Sequence, residues 1–249
     1  MEPNGNNPVV QIRSLHKAFG QQTVLGGINL DIAKGETIAV LGRSGTGKSV
    51  LLKLMIGLQK PDEGTIELFS TEITKLSLNE LNQVRQKLGF LFQQAALYDS
   101  LNVEENVAFP LRRHTKLNDS DIREKVQQML ARVGMESDLK KMPSGISGGM
   151  KKRVGLARAL ILDPEIILLD EPTAGLDPIT TEEIDELIKS MQEERKITSV
   201  VVTHDLHSVR RLADRIVILK AGNVIAEGKP EEVKQSHDPF VVKFLESGL

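Results

Sequence analysis

Short runs of aliphatic and β-branched residues open the chain at residues 9–12, 24–30, 37–41 and 65–69. Turn clusters such as Lys34-Gly35-Glu36 and Pro61-Asp62-Glu63-Gly64 separate them, so they read as strands. Between the last two, residues 49–58 are apolar nearly all round (Val50, Leu51, Leu52, Leu54, Met55, Ile56), the pattern of a buried helix. The middle of the chain has a different period. Ile122, Val126, Met129, Leu130 and Val133 recur at offsets 0, 4, 7, 8 and 11, which predicts an amphipathic helix over 119–133 with Asp119 or Ser120 as its N-cap. A further helix is expected over 149–162, stopped near Asp163-Pro164.

Beyond Pro164, strands and helices alternate again. A strand at 166–169 precedes a helix carrying Ile184, Leu187, Ile188 and Met191. A strand at 199–203 precedes a helix with Leu206, Val209 and Leu212, and a hairpin follows over Ala221-Gly222-Asn223. Strands apolar on both faces, alternating with helices, predict a parallel sheet in an α/β fold. A mostly helical insert of roughly residues 95–160 interrupts it. No repeat or low-complexity tract is evident.

Composition narrows the function. Of 249 residues 40% are hydrophobic, enough for a sizeable core, and 32 Lys+Arg against 34 Asp+Glu leave a formal charge of −2. That balance lacks the basic excess a nucleic-acid binder needs, and eight aromatics, seven Phe and Tyr98, offer few stacking platforms. The absence of Cys excludes disulfides, thiolate metal sites and thiol nucleophiles. The polar start MEPNGNNP reads as a frayed end rather than a signal peptide, and no apolar run approaches the ~18 residues of a membrane span. The expectation is a soluble intracellular protein.

Gly42-Arg43-Ser44-Gly45-Thr46-Gly47-Lys48-Ser49 fits G-x-x-x-x-G-K-[ST] between a predicted strand and a predicted helix. Glycines there let backbone N–H groups turn toward phosphate oxygens at a helix N-terminus. Lys48 would neutralise β- and γ-phosphates, and the Ser49 hydroxyl would ligate Mg²⁺. The strand 166–169 ends in Asp170-Glu171, two carboxylates at the sheet edge where open α/β sheets bind ligands. Asp170 suits Mg²⁺, directly or through water, and Glu171 suits polarising an attacking water. Ser147-Gly148-Gly149 opens the 149–162 helix and repeats the anion-binding pattern. One triphosphate does not need two such loops; read alone, the second is a helix cap in a flexible loop.

The order of these motifs resembles the ATP-binding cassette (ABC) ATPases: the 42–49 loop, Gln93, Ser147-Gly148-Gly149, Asp170-Glu171, Ala174-Gly175-Leu176-Asp177, then His204. The resemblance spans about residues 9–228. It implies a RecA-like P-loop NTPase core of residues 9–94 and 161–230, with an antiparallel β-subdomain near its start. It also implies a helical subdomain over 95–160 and a C-terminal extension over 231–249, behind a flexible 1–8. Two ATP–Mg²⁺ would be sandwiched head to tail between two copies of the chain, each Ser147-Gly148-Gly149 signature loop meeting the γ-phosphate on the other copy's Walker A loop. By the same resemblance Gln93 contacts Mg²⁺ and the attacking water, His204 contacts the γ-phosphate, and Asp177 is the D-loop acid. Phe19 matches the aromatic that stacks on adenine, although on a short N-terminal segment a core Phe is the equal alternative. His16, His114, His207 and His237 carry no such pattern.

Two positions depart from the family. Met150 stands where the signature usually ends in Gln, and Val50 where many cassettes carry a Thr that meets the α-phosphate. These departures, with LFQQAAL at 91–97, VEENVAFPLR at 103–112 and DPIT at 177–180, resemble the ATPases of MCE-type phospholipid transport systems. That subgroup implies an MlaE-like integral permease, an MCE-domain lipid-binding subunit, a possible small accessory protein, and a place at the cytoplasmic face of a bacterial inner membrane. The apolar stretch 95–111 would cup a permease helix, with Leu97, Tyr98, Leu101 and Phe109 as the dock; its plain alternative is core of the helical subdomain. A non-transport cassette, for example of iron–sulfur assembly, remains the other reading. Residues 240–245 would either reach a partner or pack on their own chain.

Overall fold

The computed structural model describes residues 8–246. The expectation of a frayed start falls on residues outside that range except Pro8, which begins a strand. Strands β1 (Pro8–Phe19) and β2 (Gln22–Ala33) pair antiparallel, and β1 also pairs β4 (Glu63–Leu68), which pairs the short β5 (Thr71–Glu72). β1 and β2 run well past the apolar runs that signal them. The pairing register shifts between Ile12 and Leu15, where Ser14 takes a left-handed φ of 44°, so the in–out alternation breaks inside a continuous strand.

The second sheet has six strands in the order β10-β9-β3-β8-β7-β6: β3 Thr37–Leu41, β6 Leu88–Leu91, β7 Ile166–Asp170, β8 Thr198–Thr203, β9 Arg215–Lys220 and β10 Asn223–Gly228. β6, β7, β8, β3 and β9 are parallel, and β10 closes the edge antiparallel. Every residue of β3, β7 and β8 is buried: the apolar runs 38–41, 166–169 and 200–202 fill both faces, and the polar ends Thr37, Asp170, Thr198, Ser199 and Thr203 are buried with them. Helix α1 (Lys48–Met55) packs against β7 and β8. The sheet packs with the first sheet through Ile38, Val40, Leu168, Val200 and Val202 on one face.

Helices α2 (Leu78–Arg85), α3 (Val103–His114), α4 (Asp119–Arg132) and α5 (Gly148–Leu160) follow the first sheet. α2 starts at a capping box between Ser77 and Glu80, a local signal that its weak apolar pattern conceals. The N-cap of α4 is Asn118, whose side chain accepts from the Asp121 N–H; neither Asp119 nor Ser120 holds that place. α3, α4 and α5 share a core of Val103, Val107, Leu111, Ile122, Val126, Leu130 and Val154. Val103, Val107 and Leu111 of the 95–111 stretch therefore serve this core. Tyr98 and Phe109 stay exposed with ring centroids 4.8 Å apart, whereas Leu97 and Leu101, expected to share a dock with them, are half-buried. Buried Asn106 shapes the loop before α3, accepting from the Tyr98 N–H and donating to the carbonyls of Tyr98, Leu101 and Asn102.

Helices α6 (Pro178–Arg195), α7 (Leu206–Leu212), α8 (Pro230–Lys234) and α9 (Pro239–Glu246) complete the chain. Val241 of α9 is buried with Ala39, Leu41, Ile216, Ile218 and Val233, so the last described helix packs on its own sheet.

One buried carboxyl in this layer makes stability depend on pH. Asp185 of α6 is 1% exposed, and burial raises its pKa to about 6 against an opposing hydrogen bond with Ser208. Asp205 and Glu182 push it further up, while Arg211 pulls it down. A raised carboxyl pKa means the folded state holds the proton more tightly, so stability falls as pH climbs from the ordinary carboxyl value of 3.8 through about 6. Asp185→Asn is therefore expected to raise the melting temperature at pH 7.5 and to leave it nearly unchanged at pH 4. Differential scanning calorimetry at the two pH values checks the sign.

Candidate nucleotide site

The loop between β3 and α1 is compact because its own groups close it. Thr46 donates from both its N–H and Oγ1 to the Arg43 carbonyl, at 3.3 and 2.9 Å. Gly47 sits at φ 97°, and a Cβ there would lie 2.7 Å from the Leu25 side chain and 2.8 Å from the Val24 carbonyl. Only glycine lets the loop approach β2 this closely while starting α1. Lys48, 6% exposed, donates to the carbonyls of Gly42 (2.8 Å) and Arg43 (3.2 Å). Burial lowers its pKa, against the pull of Glu171 and Asp170 toward the charged form.

β7 brings two carboxylates to this loop. Ser49 Oγ donates to Asp170 Oδ1 at 2.7 Å, and desolvation raises the Asp170 pKa despite that bond. Glu171 takes a left-handed φ of 47° just past the strand, a strain of about 1–3 kcal/mol that the Glu171 N–H bond to the Val202 carbonyl, 2.8 Å, helps to hold. Its carboxylate lies 3.7 Å from Lys48 Nζ, accepts from Thr203 Oγ1 at 3.3 Å, and meets His204 Nδ1 at 2.9 and 3.0 Å. An ionised carboxylate only accepts, so the Nδ1 atom of His204 carries the proton.

Gly47, Lys48, Ser49, Glu171 and His204 line a cavity of about 720 Å³ that also takes in Phe19, Arg43, Ser44, Gly45, Val50 and Gln93, whereas Gly42, Thr46 and Asp170 are not part of its wall, Asp170 being joined to it through Ser49. Phe19 is 48% exposed, with Lys17 Nζ 5.4 Å from its ring centroid, so it faces the cavity rather than the core. Ser147, Gly148, Gly149 and Asp177 do not line it. Ser147 caps α5 by accepting from the Met150 N–H, and Asp177 caps α6 by accepting from the N–H and Oγ1 of Thr180. The two caps are neighbours: a Cβ on Gly149 would fall 2.6 Å from Thr180 Cγ2. The chain thus presents one phosphate-type loop inside a cavity and a second, with an acid beside it, outside.

Two features escape the sequence pattern. Lys243 and Phe244 of α9 also line the cavity, and the Phe240 ring meets two cations, Arg43 at 5.5 Å and Lys220 at 4.6 Å from its centroid. Lys152 of α5 is 5% exposed and donates to the Gln93 carbonyl (2.5 Å) and the Glu171 carbonyl (2.7 Å). Neither has a local signal: contacts made by a helix near the chain's end, or to backbone carbonyls, leave no spacing to read.

A strand–loop–helix phosphate cradle beside acids at the C-terminal edge of a parallel sheet defines a P-loop nucleotide-binding protein. The ABC transporter family profile matches residues 25–174, and the chain belongs to that family of ATP-hydrolysing cassettes. It is 42% identical over 240 residues, 96% of this chain and 91% of the relative, to the intermembrane phospholipid transport system ATP-binding protein MlaF of Haemophilus influenzae. It is 44% identical over 236 residues, 95% of this chain and 68% of the relative, to a probable ribonucleotide transport ATP-binding protein, mkl, of Mycobacterium leprae. A dimeric ATP-binding cassette in a post-hydrolysis state, bound to ADP and Pi, is similar with a TM-score of 0.83 and 36% identity, covering 88% of this chain and 98% of that one. The chain is accordingly an ABC transporter ATPase subunit that binds ATP.

Proposed function

We propose that the chain is the motor of a phospholipid transporter of the MCE type, working as a head-to-tail pair that closes on two ATP. The observation that carries the pair is the division of the site into two groups. Lys48, Ser49, Glu171 and His204 share one cavity, while Ser147-Gly148-Gly149 and Asp177 form a second group outside it, in which Ser147, Gly148 and Asp177 are exposed. A second copy would supply the missing signature loop to each cavity, and the dimeric state of a cassette that the chain resembles, bound to ADP and Pi, supports such a pair. Likeness to a phospholipid-transport ATPase across 91% of that relative's length supports the cargo.

Each residue has a part in the proposed reaction. Lys48 and the backbone from Gly42 to Ser49 hold the β- and γ-phosphates, Phe19 faces adenine, and Val50 packs where other cassettes hydrogen-bond. Glu171 takes a proton from the attacking water, and His204, fixed by Glu171 through Nδ1, offers Nε2 to the γ-phosphate. Ser49 and Asp170, already 2.7 Å apart, with Gln93 on the cavity wall that Ser49 shares, fit a small hard cation. Among the described residues no cluster of three His, Asp or Glu could hold a metal alone, so such a site would be completed by phosphate oxygens. Mg²⁺ bound there would supply charge neutralisation to the γ-phosphate.

Among the described residues no helix is long and apolar enough to cross a membrane. Transport therefore implies docking to an integral, MlaE-like permease at the cytoplasmic face of the inner membrane, with an MCE-domain subunit and a small accessory protein in the assembly. Exposed Tyr98 and Phe109, in ring contact, form the apolar part of the dock. Tyr98→Asp is expected to move the chain from the membrane fraction to the soluble fraction with ATP affinity unchanged, as measured by fractionation and titration. Co-purification of the wild-type complex tests the cargo: an MCE subunit with bound phospholipid supports the reading, and an iron–sulfur scaffold as partner overturns it.

A further inference from the structure

We propose that Lys152 is a positioning residue that ties the signature-loop helix to Glu171 and Gln93 of the same chain, so that the seating of that helix sets the placement of the water-activating carboxylate. The proposal rests on the roles given above to Glu171 and to the Ser147 loop.

Three separated segments meet at this ammonium. Lys152 sits on α5, just past the Ser147 cap. Its Nζ donates to the Gln93 carbonyl, on the loop leaving β6, and to the Glu171 carbonyl, on the turn leaving β7. Glu171 is the residue whose backbone is held at φ 47°, so the hydrogen bond to its carbonyl fixes the peptide that orients its side chain. α5 grips the same loop a second time. Arg158 donates to the carbonyls of Ala95 (2.6 Å) and Ala96 (2.8 Å), both at left-handed φ. Arg158 holds only the loop, whereas Lys152 holds the loop and the end of β7 together.

A purely structural filler does not explain a lysine here. Burying an ammonium is unfavourable, and an apolar side chain of similar length would pack without that penalty. The burial is strong enough to lower the Lys152 pKa to about 8, while Asp170 and Glu171 favour its charge. What a lysine adds is a set of donors aimed at two carbonyls that belong to different elements. Once a partner's nucleotide seats the Ser147 end of α5, the shift reaches Glu171 through one side chain. Occupation of one cavity thereby raises the rate in the other without being required for it.

The experiment compares Lys152→Met, Lys152→Gln and Lys152→Arg with wild type in the intact transporter complex, measuring ATP affinity, kcat and melting temperature. Misplacing Glu171 is expected to lower kcat about 10–100-fold in the methionine and glutamine variants. ATP affinity should change less than about threefold, since no phosphate contact is removed, and Lys152→Arg, which keeps charged donors, should recover most of kcat. Wild-type kcat in a stably folded Lys152→Met overturns the proposal. So does a joint loss of affinity, kcat and melting temperature that arginine fails to rescue. Glu171→Gln is run alongside. If it hydrolyses ATP normally, the assignment of Glu171 fails and the tie fails with it; if it is inactive while Lys152→Met is normal, only the tie fails.

Discussion

Glu171→Gln is expected to bind ATP with near wild-type affinity and to hydrolyse it roughly 10²–10⁴-fold more slowly. The carboxylate is the only part of this residue that can take a proton from water, and the amide cannot. The substitution spares its surroundings: a glutamine oxygen can still accept from Thr203 Oγ1 and His204 Nδ1. The 3.7 Å ion pair with Lys48 is lost, which frees that ammonium for phosphate. Binding should hold or tighten while chemistry stops, and a nucleotide-bound dimer should accumulate on size-exclusion chromatography. A variant that turns over at the wild-type rate removes Glu171 from the chemistry.

Lys48→Ala is expected to fail in the opposite way, by losing ATP about 10²-fold or more in affinity, because truncating one partner of a buried charge pair leaves the other unpaired. The ammonium is buried and anchored by the Gly42 and Arg43 carbonyls, a placement that the exposed Arg43 and Lys243 on the cavity wall do not share. Glu171, 10% exposed at its side chain, would also lose its cation. Isothermal titration with ATP and Mg²⁺ measures the loss, and unchanged affinity contradicts the role given to Lys48.

The contrast between these two residues and Lys152 shows what a sequence of this kind discloses. Lys48 and Glu171 stand at fixed positions after the apolar runs 38–41 and 166–169, and the geometry of a phosphate loop imposes that spacing, so both stand out in the amino-acid order itself. The buried strands β3, β7 and β8 are visible for the same reason. β6 is only four residues long and includes Gly89, and α2 buries a single leucine, so neither has enough apolar period to stand out. β1 and β2 are underestimated because register shifts interrupt their alternation. Lys152, Lys243 and Phe244 carry no signal in the sequence, because they join the cavity or its supports through tertiary packing alone. The dock is legible as an apolar stretch, but only burial separates Val103, Val107 and Leu111, which belong to the core, from Tyr98 and Phe109, which face outward.

A head-to-tail pair requires each ATP to be held by the Lys48 loop of one copy and the Ser147 loop of another, and mixing two inactive chains tests that requirement. Lys48→Ala disables the cavity, and Ser147→Arg places bulk and charge on the signature loop, so each variant alone should form no working site. In a mixed dimer one cavity would pair an intact Lys48 loop with an intact Ser147 loop, and the other would carry both lesions. ATP hydrolysis that reappears on mixing, up to the activity of one composite site per dimer, is the predicted result. Mixtures that stay as inactive as either variant alone, or full activity from a demonstrably monomeric wild-type chain, would contradict it.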